Sequence, residues 1–305
     1  MTESGKQRLL TFLKGMAMGM ADAVPGVSGG TIAVMTHIYE RLVAAIRSIT
    51  PAAFLLWRSD GFSAFWQRID GAFLLTLGAG ILSALILMAN IVLYLLAEHA
   101  ILLLSFFIGL VLASAWFLRL QVRRWGAVCL LALLGGILVT VLIAMANPLV
   151  APDAYWYLFL CGVVAISAMI LPGLSGAFIL LLLGVYENVL EALRGAQLDV
   201  IMVFAAGCAI GLLGFAHFLT WLFHRFREQT YAFLTGMLLA SVIVLWPWKA
   251  ATPESSEFVS SGRLWPGDFA AQTGLDPQLL PAALCLFAGL GAVFLFEKLA
   301  GREIR

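Results

Sequence analysis

Apolar runs of about twenty residues recur along the whole chain, and they decide the solvent in which it folds. Ala72 to Ala97, Ile101 to Leu118, Ala127 to Ala146, Val200 to Phe223, Tyr231 to Trp248 and Pro281 to Phe296 are mostly close to the length a hydrocarbon core demands of a helix. Strands of a membrane barrel would be about half as long and would alternate in polarity, which these runs do not. A mean hydropathy of +1.00 with only 11% charged residues leaves too little polar surface for a water-soluble body of 305 residues. The pattern predicts an all-α polytopic membrane protein forming a single transmembrane domain over 1–305. Lys6, Arg8 and Lys14 precede a short apolar patch with no small-residue cleavage site, so no removable signal peptide is expected.

Several function classes are excluded or disfavoured by what surrounds these runs. Cys129, Cys161, Cys208 and Cys285 each sit alone in an apolar segment, which suits packing rather than a disulfide framework or a thiolate metal site. A net charge of +1 without a basic, aromatic-interleaved stretch points away from nucleic acid. There is no His-Glu-x-x-His pair, phosphate-binding Walker loop or dinucleotide fingerprint, and no cofactor is expected.

The chain contains an internal duplication. Pro25-Gly26-Val27-Ser28-Gly29 is answered 147 residues later by Pro172-Gly173-Leu174-Ser175-Gly176, and the match runs on to Tyr39-Glu40 against Tyr186-Glu187. Gly109, Ala113 and Ser114 match Gly236, Ala240 and Ser241 at an offset of 127, and Cys129, Ala132 and Gly135 match Cys285, Ala288 and Gly291 at 156. Two repeats, 1–150 and 151–305, are therefore expected. Each has a short arm, a Pro-Gly break, a second arm (Val27 to Ile46 or Leu174 to Leu193) and three longer segments. The broken hairpin is read as re-entrant, and whether its arms cross or turn back they return the chain to its starting side. Three crossings then remain, so the second repeat is inverted relative to the first.

Charge placement supports that topology. With both termini cytoplasmic, 15 of the 18 Lys and Arg fall inside and only Arg194, Lys249 and Arg263 outside, as the positive-inside rule requires. Inverted repeats built around broken helices are the usual plan of secondary transporters, although channels and membrane enzymes share it.

The broken stretches also hold the candidate chemistry. Pro25 disfavours a helical conformation at Val24, Gly26 lets the backbone approach a ligand, and Ser28, Gly29, Gly30 and Thr31 then open the next helix. A helix start with a hydroxyl and exposed amides suits an anion, and Pro172, Gly173, Ser175 and Gly176 build a second such start. Asp22, His37, Glu40, Arg41 and Glu187 lie where lipid would penalise charge. They are candidates for gating or ion coupling. Ser28 and Glu40 are 12 residues apart, about 18 Å on a continuous helix. That spacing places Glu40 and Arg41 near the cytoplasmic headgroups when Ser28 is at midplane.

The stretches Asp22-Ala23-Val24-Pro25-Gly26-Val27-Ser28-Gly29-Gly30-Thr31 with Tyr39-Glu40, and Leu171-Pro172-Gly173-Leu174-Ser175-Gly176 with Gly184-Val185-Tyr186-Glu187, resemble the DUF368 family of bacterial membrane proteins. That resemblance implies a flippase of the bacterial inner membrane returning undecaprenyl phosphate, the C55 lipid carrier, from the outer to the cytoplasmic leaflet for reuse in envelope synthesis. On this expectation Ser28 and Ser175 orient the phosphate, with the first start contributing more because Ala177 and Phe178 stand where Gly30 and Thr31 do. A small-anion or sugar transporter and a polyprenyl diphosphate phosphatase are the competing readings. Proton or sodium coupling and a homodimer are compatible with the plan.

Overall fold

Proline and glycine punctuation divides the chain into helices whose ends coincide with the apolar runs. The computed structural model describes residues 5–22, 28–146, 149, 151–152, 154–195, 197–249 and 262–300. Among these the helices are α1 (Gly5–Asp22), α2 (Gly29–Met35), α3 (Tyr39–Arg47), α4 (Pro51–Asp60), α5 (Phe62–Arg68), α6 (Gly71–Glu98), α7 (Ala100–Arg119) and α8 (Ala127–Met145), followed by α9 (Tyr155–Ile170), α10 (Gly176–Leu182), α11 (Tyr186–Arg194), α12 (Leu198–Arg225), α13 (Arg227–Val244), α14 (Pro266–Thr273) and α15 (Leu279–Ala300). No strand forms among the described residues beyond one isolated antiparallel bridge, Lys249 to Arg263.

Helices α7, α8 and α12 are each long and apolar enough to cross a bilayer, and α5 with the first part of α6 makes a fourth candidate bent by 67°. The other expected long segments are present as α6, α13 and α15. Arg227 and Glu228 make the first turn of α13 more polar.

The second arms differ from expectation. Each was expected to be one stretch, yet both break at the same place in the duplication. After α2, His37 takes φ 56°, and after α10 its counterpart Gly184 takes φ 70°. The Ile38 amide donates to Ala33 O at 3.0 Å and the Val185 amide to Leu180 O at 3.1 Å, while His37 and Gly184 donate to Val34 O and Leu181 O. These two bonds form a left-handed helix cap that satisfies the last carbonyls of α2 and α10. Glu40 therefore stands on a separate helix from Ser28, and the 18 Å spacing on a continuous helix does not apply. At Gly184 a Cβ would also lie 2.1 Å from Leu149 O.

Tight glycine contacts bring the long helices together. Gly15 and Gly19 of α1 face Leu77 and Ile81 of α6, and Gly207 and Gly211 of α12 face Phe159 and Val163 of α9. These contacts ascend together, so each pair runs parallel. The remaining long helices pair across the chain: Gly109 of α7 lies against Leu286 O of α15, and Gly236 of α13 against Leu133 O of α8. Leu133 and Leu286 stand 153 residues apart, as do Gly136 and Gly289, which face Phe233 O and Phe106 O. The contacting register is thus three residues from the 156 expected from Cys129 and Cys285. Helices α7 and α13 run antiparallel at the centre, where Ser114 and Gln121 share a cavity wall with Arg227 and Tyr231. Their buried faces, including Val111, Ala113, Leu234, Met237 and Leu238, lie in the main apolar core.

Lipid is as apolar as leucine, so these helices associate through close packing rather than through expulsion of water. A Cβ on Gly236 would stand 2.1 Å from Leu133 O, whereas one on Gly78 meets nothing within 4 Å. Gly236→Ala should lower the unfolding free energy of purified protein by about 1–3 kcal/mol, and Gly78→Ala should stay within about 0.5 kcal/mol of the parent. Thermal or denaturant unfolding in one detergent checks both, and equal stability of the two variants would contradict the packing described.

Candidate functional site

Where α1 ends and α2 begins, the backbone leaves the helical ladder inside the protein, and side chains take over its hydrogen bonds. Asp22 Oδ1 accepts from the Gly29 amide at 2.6 Å. Ser28, in extended conformation, caps α2 by accepting from the Gly30 amide at 3.1 Å. Its hydroxyl donates in turn to Met169 O at 2.9 Å, near the end of α9. Thr31 Oγ1 accepts from the Gly173 amide at 3.1 Å. A Cβ on Gly30 would lie 2.7 Å from Ile170 O, so only glycine lets the turns approach this closely. Ser28 and Thr31 are fully buried. Pro25 and Gly26 lie outside the described residues.

The first start is therefore already filled. An anion favoured at a helix N-terminus is present there as the Asp22 carboxylate, and the Ser28 hydroxyl is used in both directions. The second start differs. Pro172 and Gly173 are buried, with Gly173 at φ 91°, but Ser175 makes no capping bond to α10. Only 6% exposed, Ser175 lines a cavity of about 280 Å³ with Asp22, Met169, Gly176 and Cys208. Its hydroxyl makes no hydrogen bond among the described residues. The open hydroxyl thus belongs to the second start.

A second polar group lies where α3 meets α13. Glu40, in the first turn of α3, accepts from Arg227 Nη2 at 2.8 Å and from the Tyr231 hydroxyl. It borders a cavity of about 270 Å³ with His37, Tyr39, Ser114, Gln121 and Arg227. Tyr39 packs edge-on against Phe223 at 6.0 Å between centroids, and its buried hydroxyl has no hydrogen-bond partner among the described residues. His37, exposed, borders the same cavity from its cap position.

Arg41 does not neutralise Glu40. Its Nε and Nη2 donate to the two Asp70 carboxylate oxygens at 2.7 and 3.0 Å, and its guanidinium lies 4.1 Å from the Phe73 ring centroid. It ties α3 to the start of α6. Glu187 is exposed in the first turn of α11 and makes no hydrogen bond among the described residues.

Arg227, Tyr231 and Tyr39 were not singled out in the sequence. Arg227 counted only as a cytoplasmic charge, and at the 127-residue offset its counterpart is Ala100, so the duplication directs attention away from it. Tyr39 belongs to the repeated Tyr-Glu pair, and that repetition was the available signal. Among the described residues no group of His, Cys, Asp and Glu is placed to hold a metal ion.

A nearly all-helical bundle with several helices of bilayer length, parted by a buried polar seam, defines a multi-pass membrane protein. The chain belongs to the undecaprenyl phosphate translocase-like family, whose model matches residues 18–261. It is 41% identical over 300 residues to a polyprenyl-phosphate transporter of Vibrio cholerae, covering 96% of this chain and 97% of that protein. A polyprenyl-phosphate transporter of Staphylococcus aureus is 30% identical over 258 residues, covering 78% of this chain and 86% of that protein. No solved structure matches the chain.

The two carboxylate contacts should separate in energy. Asp22→Ala leaves the buried Gly29 amide without its acceptor and should cost about 1–3 kcal/mol of stability. Arg41 and Asp70 are 42% and 37% exposed, so a double-mutant cycle to alanine should yield at most about 1 kcal/mol of coupling. Unfolding of the same purified variants measures both, and an Asp22→Ala variant as stable as the parent would contradict the role given to its carboxylate.

Proposed function

We propose that this protein carries undecaprenyl phosphate from the outer to the cytoplasmic leaflet of the bacterial inner membrane, with the phosphate crossing at the seam between Asp22 and Ser175. One observation carries this reading: Ser175, a buried residue, faces a cavity, and its hydroxyl makes no hydrogen bond among the described residues. At about 30 Å³ for each water-sized group, the cavity of about 280 Å³ holds a phosphomonoester head but not a polyprenyl chain. The tail stays in lipid. The similarity to polyprenyl-phosphate transporters supplies the substrate class.

On this reading 1–150 and 151–305 are inverted repeats with both termini cytoplasmic. The antiparallel course of α7 and α13 and the matched caps at His37 and Gly184 support it. The phosphate and the Asp22 carboxylate repel each other when both are charged. Phosphate arrival therefore drives Asp22 away from the α2 start or onto a proton, which favours proton coupling over sodium coupling. Ser28, Gly29, Gly30 and Thr31, together with Pro25 and Gly26, then join Pro172, Gly173, Ser175 and Gly176 around the head. Arg227 and the Tyr39 hydroxyl receive the head at the cytoplasmic mouth, and Glu40 controls access or proton coupling there. Arg41 and His37 hold the geometry there, and Glu187 occupies the equivalent position outside.

Reconstitution of the full chain with labelled undecaprenyl phosphate tests the reading. Ser175→Ala should cut transport about tenfold or more, as expected when a hydrogen bond to a charged group is lost, while leaving helicity and thermal stability unchanged. Wild-type transport by Ser175→Ala would remove the assignment. A cysteine at Gly267, where a side chain meets nothing within 4 Å, should react with a membrane-impermeant thiol reagent only from outside. Labelling only from the cytoplasmic side would overturn the topology.

A further inference from the structure

Between α3 and α6 lies a pair of helices that the duplication does not repeat. Helices α3 and α11 have 9 residues each, and α6 and α12 have 28 each. Yet residues 48–70 join α3 to α6, and only 195–197 join α11 to α12. The offset between the two halves falls from 147 to 127 across this stretch. Helices α4 and α5 are therefore an addition to one half and take no part in building the helices that recur.

Their sequence makes them a hairpin with a small core of its own. Thr50 caps α4 by accepting from the Ala53 amide at 3.3 Å, and Pro51 takes the first helical position. Gly61, at φ 85° with open space where a Cβ would stand, turns the chain into α5. Ala53, Phe65 and Ile69 are buried together with Ile49 and Trp66 against them, apart from the main core. Helix α5 then meets the first part of α6 at 67°. With α6 crossing the bilayer, α5 lies closer to the membrane plane than to its normal, at the level where the hydrocarbon begins.

An aromatic row leads outward from that junction. The Trp66 ring occupies the space beside Gly71, where a Cβ would have no room. Phe62 follows Trp66 at 5.5 Å between centroids, and Trp57 follows Phe62 at 5.7 Å. The row is half-buried at its inner end and open at its outer one, with Trp57 and Phe62 51% and 53% exposed. Arg58 and Arg68, both exposed, stand in the last turns of α4 and α5, and Asp60 is the one acidic side chain of the two helices. Exposed rings flanked by arginines suit the headgroup layer, where the rings rest at the acyl boundary and the guanidinium groups meet anionic phosphates. A protein partner would also accept the rings. Lipid is favoured because the row starts on a membrane-crossing helix and runs along the bilayer surface.

We propose that the α4–α5 hairpin is a docking surface for anionic phospholipid, with Trp57 and Phe62 set into the headgroup boundary and Arg58 and Arg68 on lipid phosphates. It tethers α3, and with it Glu40, to the bilayer. That the leaflet is the cytoplasmic one rests on the topology proposed above, whereas the surface itself does not.

The test uses the full chain with its native cysteines changed to alanine, in vesicles of phosphatidylcholine and phosphatidylglycerol. Phe62→Cys carries a bimane label, Trp57→Cys repeats the reading with Phe62 intact, and Gln67→Cys, at an exposed position of α5, is the comparison. Lipid with a nitroxide near the headgroup should quench the labels at the Phe62 and Trp57 positions, and aqueous iodide chiefly the one at the Gln67 position. Nitroxide phosphatidylglycerol should quench the Phe62 position more than nitroxide phosphatidylcholine. Arg58→Gln and Arg68→Gln should each lower that preference about fivefold, the worth of one arginine near a charged surface, with thermal stability in detergent unchanged. Iodide quenching at the Phe62 and Trp57 positions as strong as at Gln67 puts the rings in water and overturns the surface. Labels shielded from both quenchers place a second copy or another protein over the row and overturn the lipid assignment. Equal quenching by the two nitroxide lipids overturns the anionic preference. None of these readings depends on transport, so a failed transport assay leaves the surface standing.

Discussion

Backbone that leaves the helical ladder inside a bilayer must find its hydrogen-bond partners in protein, since lipid offers none. At the meeting of α1 and α2 those partners come from the other end of the chain: Ser28 reaches Met169 and Gly173 reaches Thr31. Each of these bonds spans more than 140 residues, so the breaks are anchored to each other rather than to their own neighbourhoods. Opening the seam means replacing these bonds together. A phosphate with several acceptor oxygens can replace carbonyl and carboxylate partners of N–H and O–H groups, whereas an uncharged lipid cannot. The hydrogen-bonding requirement itself therefore favours a substrate whose head accepts many bonds.

The same anchoring explains how the long helices are arranged. Neither α7 nor α13 finds its glycine-lined partner among its sequence neighbours; α7 packs on α15 and α13 on α8. The first 150 residues alone would leave both Gly109 and Gly136 without the backbone they fit against. Tight contact at these glycines makes the exchanged pairs stiff, while the broken arms keep short helices that end in left-handed caps.

Much of this was legible because two strong signals, apolar length and internal repetition, act at long range. The boundaries of α6, α7, α8 and α12 follow the apolar runs closely, whereas α13 begins at Arg227 and ends at Val244, ahead of its run at both ends, and α15 continues to Ala300. The breaks at His37 and Gly184 were less visible: histidine is a poor marker of a left-handed residue, and the aligned glycine carried the information only when read as its partner. In the site, residue identity was easier to read than occupancy. Sequence places Ser28 and Ser175 at equivalent helix starts, but only coordinates reveal that Asp22 fills the first and leaves the second open. Arg227 was hidden for another reason, since its contact with Glu40 spans 187 residues and has no equivalent in the repeat.

That inequality between equivalent positions is itself informative. A duplicated chain with identical halves would present the same polar groups at both starts and both mouths, giving the head no distinction between its two sides. Here Phe178 replaces Thr31, Asn188 replaces Arg41 and Ala100 replaces Arg227. The Glu40 mouth has an arginine and two tyrosine hydroxyls at hand, while Glu187 lies exposed without a bonded partner among the described residues. At the other end of α13 the cations Lys249 and Arg263 lie on the segments that follow the helix and belong to no repeated motif. On the proposed inverted-repeat reading, symmetry of the backbone supplies two related ways to pack the same helices, and the departures from it set different electrostatic conditions at the two ends. A carrier moving an anionic head needs both, because each end must bind the head strongly enough to desolvate it and weakly enough to release it.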